Sequence, residues 1–117
     1  MFYGSEKALV YNSGYSLNIG FISCLTTRHD LVLYDEKVHA SIRDGVGLSS
    51  AKSFSFKHNN LMDLERQLKK NKSANVFILI ESLYSMTGKC SSLLDIYDLS
   101  LKYKANLIVD EAHSIGV

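Results

Sequence analysis

An apolar run, Leu107-Ile108-Val109, ends abruptly at Asp110, and His113 follows three residues later. In an open α/β sheet, ligands bind just outside the carboxyl ends of the strands. A carboxylate at such an end, with an imidazole close behind it, is suited to gripping a heteroaromatic cofactor or a metal ion. A D-x-x-H pair alone is equally a strand-end Asp that caps a loop beside a surface histidine.

Other residues could join it. Asn12-Ser13-Gly14-Tyr15-Ser16 lies between a short apolar run, Ala8 to Tyr11, and a helical pattern from Ser16 to Thr26. Free N–H groups and the positive dipole end of a helix start there make an anion site suited to phosphate, or a plain turn. His39 follows a strand pattern that ends at Asp35. It either lies over a cofactor ring or is a surface histidine at a helix start, and without context the surface reading is the simpler. Ser82 to Ser85 comes just after the run that ends at Ile80-Glu81. In a parallel sheet Gly14, His39, Ser85 and Asp110 all follow strand ends and converge on one edge, which strengthens four weak signals. Two nucleotide motifs fail. Asp110-Glu111-Ala112-His113 also occurs in DEAH-box ATPases, which need a G-x-x-x-x-G-K-[ST] loop. The nearest match, Gly88-Lys89-Cys90, has Leu83 in place of the first glycine and no hydroxyl after the lysine. Asp44-Gly45-Val46-Gly47 lacks the third glycine of a dinucleotide fingerprint and sits inside a helical pattern.

The elements that must position these residues alternate. Strands are expected at Leu31 to Tyr34, Ser53 to Phe56, Val76 to Ile80 and Leu107 to Val109. Between them, His39 to Leu48 reads as a helix with Ile42 and Val46 on one face. Asn60 is placed to cap a second helix with a Leu61, Leu64, Leu68 stripe, and Glu65 and Lys69 are spaced as an i,i+4 pair. A third helix, Leu93 to Tyr103, is expected to turn Leu93, Leu94, Tyr97 and Leu101 inward. The pattern predicts an α/β fold with a mostly parallel sheet and flanking helices. The length of 117 residues allows at most one domain, read as a single incomplete one over 1–117 because strands lie so close to both ends.

Bulk properties exclude some partners. Net charge is +1, which points to neither nucleic acid nor an anionic membrane. There is no apolar run long enough for a transmembrane helix and no signal-peptide pattern at the start. Cys24 and Cys90 have no metal-ligand spacing and read as reduced thiols, consistent with a cytoplasmic protein.

As a set, five segments resemble the α-oxoamine synthases, in that family's order and at close to its spacing. They are Tyr11 to Asn18, His39 to Gly45, Phe56 to Asn60, Glu81 to Met86 and Val109 to His113. The family comprises pyridoxal-phosphate enzymes of the aspartate-aminotransferase fold, among them 8-amino-7-oxononanoate synthase, 2-amino-3-ketobutyrate CoA ligase and serine palmitoyltransferase. The resemblance implies that Gly14 and Tyr15 sit by the cofactor, near its phosphate and ring, and that Ser85 contacts it. It implies that His39 stacks on the pyridine ring, Asp110 binds the pyridinium nitrogen and His113 hydrogen-bonds the phenolic oxygen. His39 and His113 are the expected catalytic side chains, and no metal is implied. The reaction implied is decarboxylative condensation of an amino acid with an acyl-CoA or acyl-carrier-protein thioester, in a cytoplasmic homodimer. The wording of the last two motifs is most like the synthases of biotin biosynthesis.

Departures from the pattern are also on the page. Where the family has Ser-Met-Asp-Gly-Asp followed by Ala-Pro, this chain has Ser85-Met86-Thr87-Gly88-Lys89, then Cys90-Ser91-Ser92; His-Asn-Asp is His58-Asn59-Asn60. The family's Schiff-base lysine stands beyond the D-x-x-H motif in a Ser/Thr-rich segment, and none of the ten lysines here has that context. The chain is therefore expected to be part of a large domain, without the N-terminal arm, lysine segment and small C-terminal domain. By itself it is expected not to turn over, either as a piece of an active synthase or as a remnant.

Overall fold

A computed structural model of the chain describes residues 20, 22–71, 75–81 and 93–110. Within these, strands and helices alternate as β1 (Leu31–Asp35), α1 (Ala40–Leu48), β2 (Lys52–Phe56), α2 (Leu61–Lys70), β3 (Val76–Glu81), α3 (Leu93–Lys102) and β4 (Asn106–Asp110). The four strands form one sheet in the order β2-β1-β3-β4, and every pairing is parallel. The four strands from Leu31 to Val109 and the three helices between them are present as expected, with ends shifted by a residue or so. Residues 22 to 25 are the described end of the helix expected from Ser16 to Thr26. The earlier run at Ala8 to Tyr11 and the turn at Asn12 to Gly14 lie outside the described residues.

The sheet is covered on both faces, which is why its central strands are apolar at nearly every position. Val32, Phe77 and Leu79 face α1, packing with Val38, Ile42 and Val46, and Ile22 joins them. On the other face Leu31, Leu33, Ile78 and Ile80 pack with Phe56, with Leu64 and Leu68 of α2 and with Ile96 of α3. The edge strand β2 is thinner in apolar residues, and its Lys52 is exposed, which discourages further pairing.

Local signals fix the helices. Asn60 caps α2, its side chain accepting from the Asp63 N–H at 3.0 Å. The Leu64 and Leu68 stripe is buried as expected, with Leu61 at its margin. Glu65 does not pair with Lys69. It accepts from Lys102 at 3.0 Å and from the Tyr103 hydroxyl at 2.7 Å, because α3 runs alongside and offers better-placed donors. The inward face of α3 is a second correction. Leu94, Tyr97 and Leu101 are 77%, 48% and 60% exposed, whereas Ile96 and Ser100 are buried, with Leu93 at the margin of the core. Apolar residues surround this helix, so period alone could not choose its inner stripe. Ile96 goes inward, and Ser100 is buried without penalty because its hydroxyl donates to the Tyr97 carbonyl.

Candidate functional site

The strand order reverses between β1 and β3. From β1 the chain passes through α1 on one face to β2; from β3 it passes through α3 on the other face to β4. In such sheets the crevice at the carboxyl ends, where the two halves diverge, is the natural ligand site. The groups at that crevice are acids and imidazoles. Asp35, Glu81 and Asp110 are the last residues of β1, β3 and β4, and His39 stands at the start of α1.

Two of the predicted site residues lie on this edge and on one face of it. Side chains alternate along a strand. Phe77 and Leu79 face α1, so Glu81 does too; Ile108 joins the same layer, so Asp110 does too. Glu81 and Asp110 are register partners on adjacent strands. His39 arrives at this face from β1. Its backbone N–H donates to Glu81 Oε2 at 3.1 Å, bridging the divergence point. Its side chain caps α1: Nδ1 accepts from the Ser41 N–H at 3.1 Å and lies 3.0 Å from the Ser41 hydroxyl. A backbone N–H only donates, so Nδ1 carries the lone pair and the neutral ring holds its proton on Nε2. His39 is thus the exposed residue at a helix start that was expected, with its ring turned to capping that helix.

Behind this face, on the α2 and α3 side, is a buttress that sequence reasoning did not single out. Asp35 is fully buried and its carboxylate accepts from three donors: the Lys37 N–H at 2.8 Å, His58 Nδ1 at 2.9 Å and the Asn59 N–H at 3.1 Å. The His58 N–H in turn donates to Glu36 at 3.2 Å, and Glu36 N–H donates to the Phe56 carbonyl. The turns after β1 and β2 are therefore tied together, and the first leads directly into His39. Asn59 occupies a left-handed backbone position, φ 53°, which asparagine tolerates better than most residues. The available signal was that three strand runs end in an acid, not Asp110 alone.

Gly14, Tyr15, Ser85 and His113 lie outside the described residues; of the predicted set His39 and Asp110 are described, His39 bonded to Glu81 and Asp110 the register partner of Glu81. Among the described residues, no group of three or more His, Cys, Asp or Glu side chains could hold a metal ion. The described thiol, Cys24, is free and exposed.

A parallel α/β sheet with an acid- and imidazole-bearing edge at its divergence point defines a ligand-binding domain of doubly covered type. The family is fixed by comparison: the model of "Aminotransferase class I and II" matches residues 1–117, and the chain belongs to that family. Its relatives are α-oxoamine synthases, as the motif set implied. It is 47% identical over 117 residues to 8-amino-7-oxononanoate synthase of Chlorobaculum parvum, covering 98% of this chain and 30% of that one. It is 43% identical over 117 residues to serine palmitoyltransferase of Bacteroides thetaiotaomicron, covering 99% of this chain and 30% of that one. The fold matches that of serine palmitoyltransferase from S. paucimobilis with bound PLP and myriocin, with a TM-score of 0.95 and 36% identity, covering 98% of this chain and 30% of that one. The chain thus spans about 30% of the length of the curated relatives it matches.

Proposed function

We propose that this chain carries part of the pyridoxal-phosphate site of an acyltransferase that condenses an amino acid with an acyl thioester and expels carbon dioxide. One observation carries the reading: the His39–Glu81 bond joins the two halves of the sheet at the divergence point and sets His39 on the face that Asp110 ends. The donor set fits the cofactor's chemistry. A carboxylate matches a protonated pyridine nitrogen, and a flat imidazole matches a flat ring. When bound, pyridoxal phosphate supplies an electron sink for the carbanion of the amino acid.

The residues of the chain then have distinct tasks. Asp110 holds the proton on the pyridine nitrogen, since a fixed negative charge favours the cationic ring. His39 would shield one side of the ring from water, with its Nε2–H available as a donor. By the family pattern, Gly14 and Tyr15 are assigned to the cofactor's phosphate and ring, Ser85 to a cofactor contact and His113 to the phenolic oxygen. No lysine of this chain stands in the Ser/Thr-rich context of the family, so the covalent hold on the aldehyde is assigned to no residue here. The parent protein is proposed to be a cytoplasmic homodimer, and 1–117 part of its large domain. Among the described residues no helix is long and apolar enough to cross a membrane.

Beside a 2-amino-3-ketobutyrate CoA ligase-like reaction and a catalytically dead remnant, two substrate pairs within this class draw support from named relatives. The 47% identity to an 8-amino-7-oxononanoate synthase favours alanine with a pimeloyl thioester, which we adopt. The TM-score of 0.95 to a serine palmitoyltransferase favours serine with a long-chain thioester as the second reading. Titration of the purified chain with pyridoxal phosphate, followed by absorbance, tests the site. Saturable binding that Asp110→Ala abolishes and His39→Ala weakens is expected. Binding that neither substitution changes refutes the site, and a change in the bound spectrum with serine but not alanine selects the second reading.

A further inference from the structure

We infer that Glu81 is a positioning residue for His39, and through it sets how tightly this edge binds a flat anionic cofactor. The inference rests on the cofactor reading above. Glu81 is 3% exposed, and a carboxylate is kept buried only at a cost unless it makes strong bonds. One of its bonds is to the His39 N–H, 42 residues away in the chain. That bond has a specific mechanical effect. His39 precedes the first residue of α1, and its ring is already committed to capping that helix through Ser41. Backbone and side chain are thus each fixed by a separate partner. Glu81 holds the residue against β3, and Ser41 fixes the ring's orientation and its Nε2–H form. With both in place, His39 is held at its backbone by β3 and at its ring by α1, and Asp110 ends the strand hydrogen-bonded to β3, in register with Glu81 itself. Without Glu81, the junction between β1 and α1 loses its tie to the strand that sits next to Asp110. A preorganised group binds more tightly because less ordering remains to be done on binding.

The test uses the chain with ¹⁵N labelling and substitutions at Glu81. Glu81→Ala removes the acceptor; Glu81→Gln keeps a carbonyl oxygen in place. Glu81→Leu, closer in size and also without an acceptor, serves where Glu81→Ala does not fold. Hydrogen exchange of the His39 amide should accelerate in Glu81→Ala and stay close to wild type in Glu81→Gln. Affinity for pyridoxal phosphate should fall about tenfold in Glu81→Ala and recover to within about threefold of wild type in Glu81→Gln, the differences expected for loss or weakening of one charge-assisted bond. In a His39→Ala background, Glu81→Ala should change the affinity no further, because its effect passes through His39. An unchanged His39 amide, or a full affinity loss in the His39→Ala background, overturns the inference. If the amide responds as expected while Asp110→Ala leaves cofactor binding intact, the hold of Glu81 on His39 stands and the cofactor reading falls.

Discussion

Replacing Asp35 should cost more than any other single change on the sheet edge, and its size follows from the donors it leaves behind. Its buried carboxylate accepts from Lys37 N–H, Asn59 N–H and His58 Nδ1 at 2.8, 3.1 and 2.9 Å. In Asp35→Ala all three donors lose their acceptor, at about 1–3 kcal/mol each where water cannot replace it. Lys37 is exposed and its N–H can recruit water, so the lower end applies there. The sum is about 3–7 kcal/mol, a large part of the about 5–15 kcal/mol that holds a domain folded. His58→Ala, by contrast, leaves the carboxylate with two backbone donors, and should cost about 1.5–3 kcal/mol, the worth of one bond to a charged group. Asp35→Asn should fall between them, since one oxygen remains but an amide N–H now meets other donors. Urea unfolding followed by far-UV circular dichroism gives these differences as midpoint shifts at constant slope. An Asp35→Ala cost below about 1 kcal/mol, or one no larger than that of His58→Ala, would refute the view that this carboxylate ties the two turns together.

Three further outcomes follow from other parts of the structure. Asp30 lies before β1 and accepts from Thr27 N–H and from Asn75; the Thr27 N–H above all holds its carboxyl below the usual value. Its folded pKa is depressed, so its contribution is fully present above about pH 4 and lost as pH falls through the lower folded value; the stability gap between wild type and Asp30→Asn should shrink on acidification, and a gap independent of pH would contradict this. Burial first, and then the Glu65 carboxylate, hold the Tyr103 phenol above its ordinary pKa. Alkaline spectrophotometric titration should therefore show Tyr103 titrating late, identified by its loss in Tyr103→Phe, and Glu65→Gln should bring it part of the way back. On α3, Ile96→Ala should cost about 2–5 kcal/mol in a thermal or urea melt. Leu94→Ser, at the exposed stripe, should stay within about 0.5 kcal/mol, and equal losses would reinstate the leucine face as the inner one.

What the sequence disclosed and what it hid divide along the range of the interactions. Strand ends at Asp35 and Asp110, the Asn60 cap and the Ile42–Val46 face of α1 all depend on neighbours a few residues apart, and all were readable. The inner face of α3 was not, because leucines lie on its outer side and only tertiary packing selects Ile96 and Ser100. Glu65 was expected to bond within its own helix and instead bonds to α3, a choice made by helix placement. The links from Asp35 to His58 and from Glu81 to His39 span 23 and 42 residues, so no local pattern could expose them. Within the candidate site, Asp110 was legible as the end of a strand and His39 as the start of the helix after one. The acid that holds His39 in place was visible only as the end of an apolar run.

The central claim is that Asp110 keeps a pyridine nitrogen protonated at this sheet edge. It is tested most directly by nitrogen NMR of ring-¹⁵N pyridoxal phosphate bound to the purified chain. With wild type, the ring nitrogen should report the protonated form at neutral pH; with Asp110→Asn it should report the neutral form. A ring nitrogen that is unprotonated in wild type, or that Asp110→Asn leaves unchanged, would contradict the account.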